Sequence, residues 1–189
     1  MINTFFAHSL IEFGPLTLFF LISTVWGFYP GATALVLSTL AALIFSIWYY
    51  KRFAYFSFSV SAFTLLSGFT TIYLHQPIWL VLEFTITNLM FGIILLAAQR
   101  RGRLILESMF DHMFSINRKG WRTLTIRWGW VLVTIGVTNQ MFWYYWPDET
   151  LWTAFRFITT ILTFAFALSQ FSLSRRERLP EATHWGLRK

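Results

Sequence analysis

Glu83 and Arg156 are charged residues set inside long apolar stretches of a 189-residue chain. A charge in hydrocarbon costs on the order of 2.5–3.5 kcal/mol by insertion scales unless it is paired or reaches water. Residues kept there against that cost serve an ion path, a proton relay or a headgroup site. Asn139 and Gln140 lie at a similar depth in another stretch, and Thr85 and Asn88 follow Glu83 along its own. Two readings stay open. In the first, Glu83, Asn88, Asn139, Gln140 and Arg156 form a polar cluster that opens toward the outer leaflet and holds a headgroup or an ion. In the second, Arg156 snorkels outward, Glu83 stays at the interface and the amides hydrogen-bond between helices.

Other chemistry has little to work with. The chain has no cysteine, which excludes disulfides, thiolate catalysis, thiolate zinc sites and iron–sulfur clusters. His8, His75, His112 and His184 occur in no metal-ligand spacing, and GxxxxGK[ST], GxSxG and HExxH are all missing. Asp148 and Glu149 read as part of an exposed turn. No catalytic residue, metal site or cofactor is expected, and so no enzyme.

The elements that position these residues must be membrane helices. Apolar residues make up 56% of the chain and charged residues 12%, about half the charged share of a soluble domain. Six apolar stretches run over roughly 13–29, 32–50, 54–74, 78–98, 129–146 and 153–173. As helices they are about 25–31 Å long, matching a hydrocarbon core of about 30 Å. The runs are continuous rather than alternating, which argues against a barrel. Phe13 to Phe28 followed by Ala32-Thr33-Ala34 has the outline of a signal peptide. Met1 to Glu12 lacks Lys and Arg, however, so no cleavage is expected. The predicted fold is an all-α polytopic bundle of six membrane segments, or five if the first, with Glu12 and Pro15 at its start, does not cross.

Tyr29-Pro30-Gly31, His75-Gln76-Pro77 and Trp146-Pro147-Asp148-Glu149 read as short turns, and 99–128 as a long connection. Lys51 and Arg52 follow the second stretch. Arg100, Arg101, Arg103, Arg118, Lys119, Arg122 and Arg127 follow the fourth, and Arg175, Arg176, Arg178, Arg188 and Lys189 follow the sixth. The alternate turns hold no Lys or Arg, so every basic residue except Arg156 falls on one side, assigned to the cytoplasm. This gives a single membrane domain over 1–178 and a cytoplasmic tail over 179–189.

Within the long connection, 104–116 places Ile105, Leu106, Met109, Phe110, Met113 and Phe114 at helical spacing opposite polar residues. It reads either as a short amphipathic helix on the inner leaflet or as a helix docked beneath the bundle. The flanking Arg100, Arg101, Arg103, Arg118, Lys119 and Arg122 are candidates for contact with anionic inner-leaflet lipids or a partner protein. The net charge of +7 is therefore read as membrane topology, not nucleic-acid binding. Aromatic belts are expected from Trp48, Tyr49, Tyr50, Trp121, Trp128 and Trp130 at the inner boundary. Trp26, Tyr29, Tyr73, Trp79, Trp143, Tyr144, Tyr145, Trp146 and Trp152 would form the outer one. Gly68, Gly92, Gly129 and Gly136 mark close helix contacts.

The order of segments resembles the intracellular septation protein A family of Gram-negative inner-membrane proteins, over roughly residues 11 to 181. The matching residues begin with Gly14-Pro15-Leu16, Phe19-Phe20, Ala32-Thr33-Ala34 and Ser46-Ile47-Trp48 with the basic pair after it. Gly68, His75, Thr85, Arg100-Arg101 with Leu104-Ile105, and Trp121, Leu124 and Trp128 follow. Trp152-Thr153-Ala154-Phe155-Arg156-Phe157 resembles the family's W-x-x-F-K-x-F-G. Glu83, Gln140, Arg156 and Thr159 depart from the residues usual in the family, so the polarity of the cluster is kept while its charge assignment changes. The resemblance implies about five spans and a non-catalytic role in envelope biogenesis, membrane integrity and septation, through contacts with division or cell-wall elongation proteins. The alternative is a small membrane carrier or lipid translocator that uses the outer polar cluster. Broken helices or an inverted repeat would favour it, and neither is visible.

Overall fold

The computed structural model describes residues 2–50, 55–111, 114–180, 182–183 and 186–187, without the side chains of 2–13, 47, 49–50 and 55–57. Lys51, Arg52, His112, Met113, His184, Arg188 and Lys189 lie outside the described residues, as do the side chains of His8, Glu12, Tyr49 and Tyr50. Eight helices form among the described residues: α1 (Ile2–Trp26), α2 (Phe28–Tyr50), α3 (Tyr55–Leu74), α4 (Ile78–Arg100), α5 (Ile105–Phe110), α6 (Arg118–Tyr145), α7 (Glu149–Ser169) and α8 (Phe171–Arg176). No strand forms among them. The fold is a polytopic helical bundle, as the continuous apolar runs require: in oil every backbone N–H and C=O must be satisfied within its own segment.

Three segments are long and apolar enough to cross a membrane, Phe28–Ser46, Ile78–Arg100 and Glu149–Arg176, and Gly14–Trp26 and Phe58–Leu74 are shorter apolar helices. The six apolar stretches coincide with α1, α2, α3, α4, α6 and α7, but several boundaries move. The first break is at Gly27, whose φ of 94° only glycine adopts without strain. Pro30 and Gly31 belong to the first turn of α2, where proline's missing N–H leaves nothing unsatisfied. Pro15 lies inside α1 instead of at its start. α6 begins at Arg118, which shortens the connection after α4 by a third, and the amphipathic helix within it ends at Phe110.

Asn117 explains the early start of α6. Its Oδ1 accepts from the Gly120 N–H at 2.8 Å, an N-cap bond, and its carbonyl takes the first helical bond, from Trp121 N–H. Just beyond the far end of α6, Asp148 caps α7 in the same way, with Oδ1 accepting from Leu151 N–H at 2.8 Å.

The chain divides into two compact units, and the divisions fall within α4, α6 and α7. The first comprises Met1–Phe84 and Gln140–Phe157. In it α1 packs on α2 and α2 on α3. Its core gathers Phe19, Phe28, Ala32, Leu35, Leu80, Val81 and Trp152. A Cβ on Gly68 would strike Val36, so glycine is what lets α3 approach α2.

The second unit comprises Thr85–Asn139 and Ile158–Lys189. Its small core is Leu104, Ile116 and Trp121, with Leu106, Phe114 and Leu124 packed on it. Gly92, Gly129 and Gly136 bring α4 and α6 into backbone contact: a Cβ on Gly92 would lie 2.8 Å from the Gly129 carbonyl. The tail is tied down here. Ser115 N–H donates to Gly186 O at 2.8 Å, Leu179 N–H to Ser115 O at 3.0 Å and Asn117 N–H to Glu177 O at 2.9 Å. Isolated antiparallel bridges pair Phe114 with Leu187 and Ile116 with Arg178.

Two tryptophans expected in the aromatic belts are core residues. Trp121 is 1% exposed and Trp152 fully buried, whereas Trp26, Trp48, Tyr73 and Tyr144 are each about 70% exposed or more. A belt residue lies at the end of its helix on the surface, where Trp48, Tyr73 and Tyr144 each meet a ring of their own helix. Trp121 has Leu104 and Ile116 against it, and Trp152 has Phe19 and Phe28.

Candidate functional site: a buried ion pair and a basic face

In the first unit, α4 supplies Glu83 and α7 supplies Arg156, and both are buried. Arg156 Nη2 stands 3.8 Å from Glu83 Oε2. The other carboxylate oxygen, Oε1, accepts from Thr64 Oγ1 of α3 at 2.9 Å. The guanidinium carbon lies 5.0 Å from the ring centre of Phe84, 5.3 Å from Trp152 and 5.6 Å from Phe19. Aromatic faces are negative at their centres, so the cation gains from three rings as well as from one carboxylate. Arg156 does not reach out to water, as a snorkelling side chain would. Gln140, at the end of this unit's α6 segment, is half-buried.

In the second unit, Asn139 Nδ2 donates to Thr85 Oγ1 at 2.8 Å, and Asn139 is fully buried. Asn88, further along α4, is half-buried. Of the five predicted cluster residues, the structure therefore joins Glu83 to Arg156 and joins Asn139 to Thr85.

Sequence reasoning missed Thr64 and the aromatic cage. Thr64 leaves no local trace, because its bond to Glu83 spans nineteen residues. Trp152 does leave one. It precedes Arg156 by four residues on α7, the spacing that stacks two side chains on one helix face.

The basic candidates all lie in the second unit. Arg100, Arg101, Arg103, Arg118, Lys119 and Arg122 are exposed. Arg100, Arg118, Lys119 and Arg122 line one cavity of about 510 Å³ together with Gln99, Gly102 and Leu104, while Arg101 and Arg103 stay outside it. Among the described residues these four cations make no ion pair with a carboxylate. Nearby, Arg127 Nη1 donates to Gln170 Oε1 at 3.1 Å.

Long apolar helices, a buried ion pair facing no water and cations gathered between Arg100 and Arg122 define a polytopic membrane protein. The chain belongs to the intracellular septation protein A family, whose model matches residues 7–179. It is similar to the inner membrane-spanning protein YciB of Afipia carboxidovorans, 29% identical over 91% of this chain and 86% of the relative. The proteins of the same name from Bradyrhizobium sp. (strain BTAi1) and Brucella melitensis are 28% and 30% identical over 87% and 79% of this chain and 82% and 76% of their own lengths. No solved structure matches the chain. The family and its relatives place this protein among the inner-membrane proteins linked to septation.

Proposed function

We propose that this protein supports cell-envelope integrity and septation without catalysis, by presenting its basic face to anionic lipid or to division and cell-wall elongation proteins. The observation that carries this reading is the group of six exposed cations between Arg100 and Arg122, four of them around one cavity and unmatched by acids. Cations without an acidic partner are available to external anions, at about 1 kcal/mol per Lys or Arg near an anionic surface. The positive-inside rule puts this face, with the tail beside it, on the cytoplasmic side.

The polar residues within the helices offer less to a carrier. Glu83 is engaged by Thr64 and Arg156, and Asn139 by Thr85. A transport site has to exchange its partners with a substrate, and each of these groups has a neighbouring side chain that a substrate would first have to displace.

The test is complementation. In a strain lacking the gene, Arg118→Gln/Lys119→Gln/Arg122→Gln at wild-type membrane abundance is expected to leave the division or envelope defect uncorrected. Full rescue by that variant, together with Glu83-dependent ion or lipid flux in vesicles, would transfer the function to the intramembrane residues.

A further inference from the structure

α6 carries two kinds of surface on adjoining faces. Arg118, Lys119 and Arg122 line the basic cavity. Trp121, Leu124, Trp128 and Leu132 line a second cavity of about 370 Å³, to which α5 adds Leu106 and Phe110. At about 100° per residue, Arg118 and Arg122 fall on one stripe of the helix and the four apolar residues on a stripe roughly a quarter-turn away. The cavities are neighbours: Leu104, in the wall of the first, and Trp121, in the wall of the second, pack in the same small core.

The second cavity presents almost nothing polar to a guest. Gln170 is in its wall, but its Oε1 accepts from Arg127, and its Nε2 donates to the Phe166 carbonyl and to Ser169 Oγ. In the first cavity, Arg118 reaches the Gly102 carbonyl at 3.4 Å, a weak bond that leaves most of its donors for other acceptors. Like charges gathered without acids call for an anion. An anion alone accounts for one cavity. A greasy chain alone accounts for the other, yet gains nothing on leaving the bilayer, which is equally apolar.

The geometry points to one ligand for both: an anionic glycerophospholipid, its phosphate held by Arg100, Arg118, Lys119 and Arg122 and an acyl segment lying along Trp121, Leu124 and Trp128. At about 30 Å³ per water-sized group, the apolar cavity has room for roughly a dozen heavy atoms. This deepens the proposed function by naming a ligand for the basic face, and rests on that reading.

The test is a titration of the delipidated full-length protein in detergent, read by native mass spectrometry. The probes are phosphatidylglycerol, phosphatidylcholine with the same chains, and glycerol phosphate. Phosphatidylglycerol is expected to bind at least about tenfold tighter than phosphatidylcholine, with the preference lost in Arg118→Gln/Lys119→Gln/Arg122→Gln. Ala167→Phe, which fills the apolar cavity, is expected to weaken phosphatidylglycerol and leave glycerol phosphate unchanged. Brominated phosphatidylglycerol should also quench wild-type tryptophan fluorescence more than brominated phosphatidylcholine, and less in Trp128→Phe, which decides the matter should Ala167→Phe fail to fold. Equal binding of the two lipids, or glycerol phosphate binding as tightly as the whole lipid, would overturn the inference. If the lipids bind equally while the triple variant still fails to complement, the basic face contacts protein; the lipid ligand falls and the proposed function stands.

Discussion

Arg156 meets Glu83 at 3.8 Å, with its guanidinium enclosed by Phe19, Phe84 and Trp152. Neither residue is more than a tenth exposed. Water cannot solvate either charge, so each depends on the other. The carboxylate has a second anchor in Thr64, and the cation has its rings. Such an arrangement fixes α4 against α7 within the first unit, because sliding either one leaves a bare charge in oil, and it ties α3 to α4 through the Thr64 hydrogen bond.

Breaking this pair from one side should therefore be worse than removing it altogether. Glu83→Leu is expected to destabilise the protein by about 3–5 kcal/mol, and Glu83→Leu/Arg156→Met by clearly less than the sum of the single changes. The measurement is a double-mutant cycle by SDS-induced unfolding in mixed micelles. Additive effects would show that the two charges do not depend on each other.

The Asn139–Thr85 bond should matter far less, although both residues are buried. Hydrogen bonds between membrane helices average about 0.6 kcal/mol and reach about 1.7, since the unfolded chain finds other partners in the bilayer. Thr85→Val is accordingly expected to cost less than about 2 kcal/mol on the same assay. A loss as large as that of Glu83→Leu would assign Asn139 a role beyond one hydrogen bond.

How much of this was readable beforehand differs from element to element. The six apolar helices are written in the sequence because lipid demands length and continuity, and both survive in a single chain. Glu83 and Arg156 stand out for the same reason. Their pairing does not, because a linear pattern gives depth along a helix but not which faces meet. Trp121 and Trp152 read as belt residues for the same reason: belt and core tryptophans occur at the same depths and differ in their neighbours. The start of α6 was available. Asn117 followed by Arg118-Lys119-Gly120 carries a good N-cap residue, but the charges that follow conceal it from a hydropathy reading. The tail's pairing with 114–117 has no local signal at all.

The glycine contacts permit a sharper comparison. A Cβ on Gly92 would meet the Gly129 carbonyl and Val133 N at under 3 Å, atoms of backbone that cannot rotate away. Gly92→Ala is therefore expected to destabilise by about 1–3 kcal/mol. Gly14 lies within α1 with nothing near enough to strike, so Gly14→Ala should be neutral or stabilising by up to about 1 kcal/mol, through helix propensity alone. Thermal unfolding of the two variants in one detergent compares them directly, and equal shifts would remove the close α4–α6 approach.

Asn117 is the point at which α6 and the tail depend on one side chain. Its Oδ1 caps α6 through Gly120 N–H, and its Nδ2 donates to Glu177 Oε2 at 2.9 Å. Beside it, Asn117 N–H donates to the Glu177 carbonyl, a backbone bond that any residue except proline can make. Asn117→Ala removes both side-chain bonds and leaves the third. Asn117→Asp keeps the cap oxygen but sets a carboxylate against Glu177. The alanine variant is expected to lose about 1–2 kcal/mol and to speed hydrogen exchange both at 118–121 and at 177–179. The aspartate variant should protect 118–121 nearly as well as wild type while 177–179 exchanges faster, because like charges at hydrogen-bond distance repel. If both segments kept wild-type protection in the aspartate variant, the tail would be held by its backbone bridges alone, and the side-chain link between Asn117 and Glu177 would carry no weight in keeping it closed.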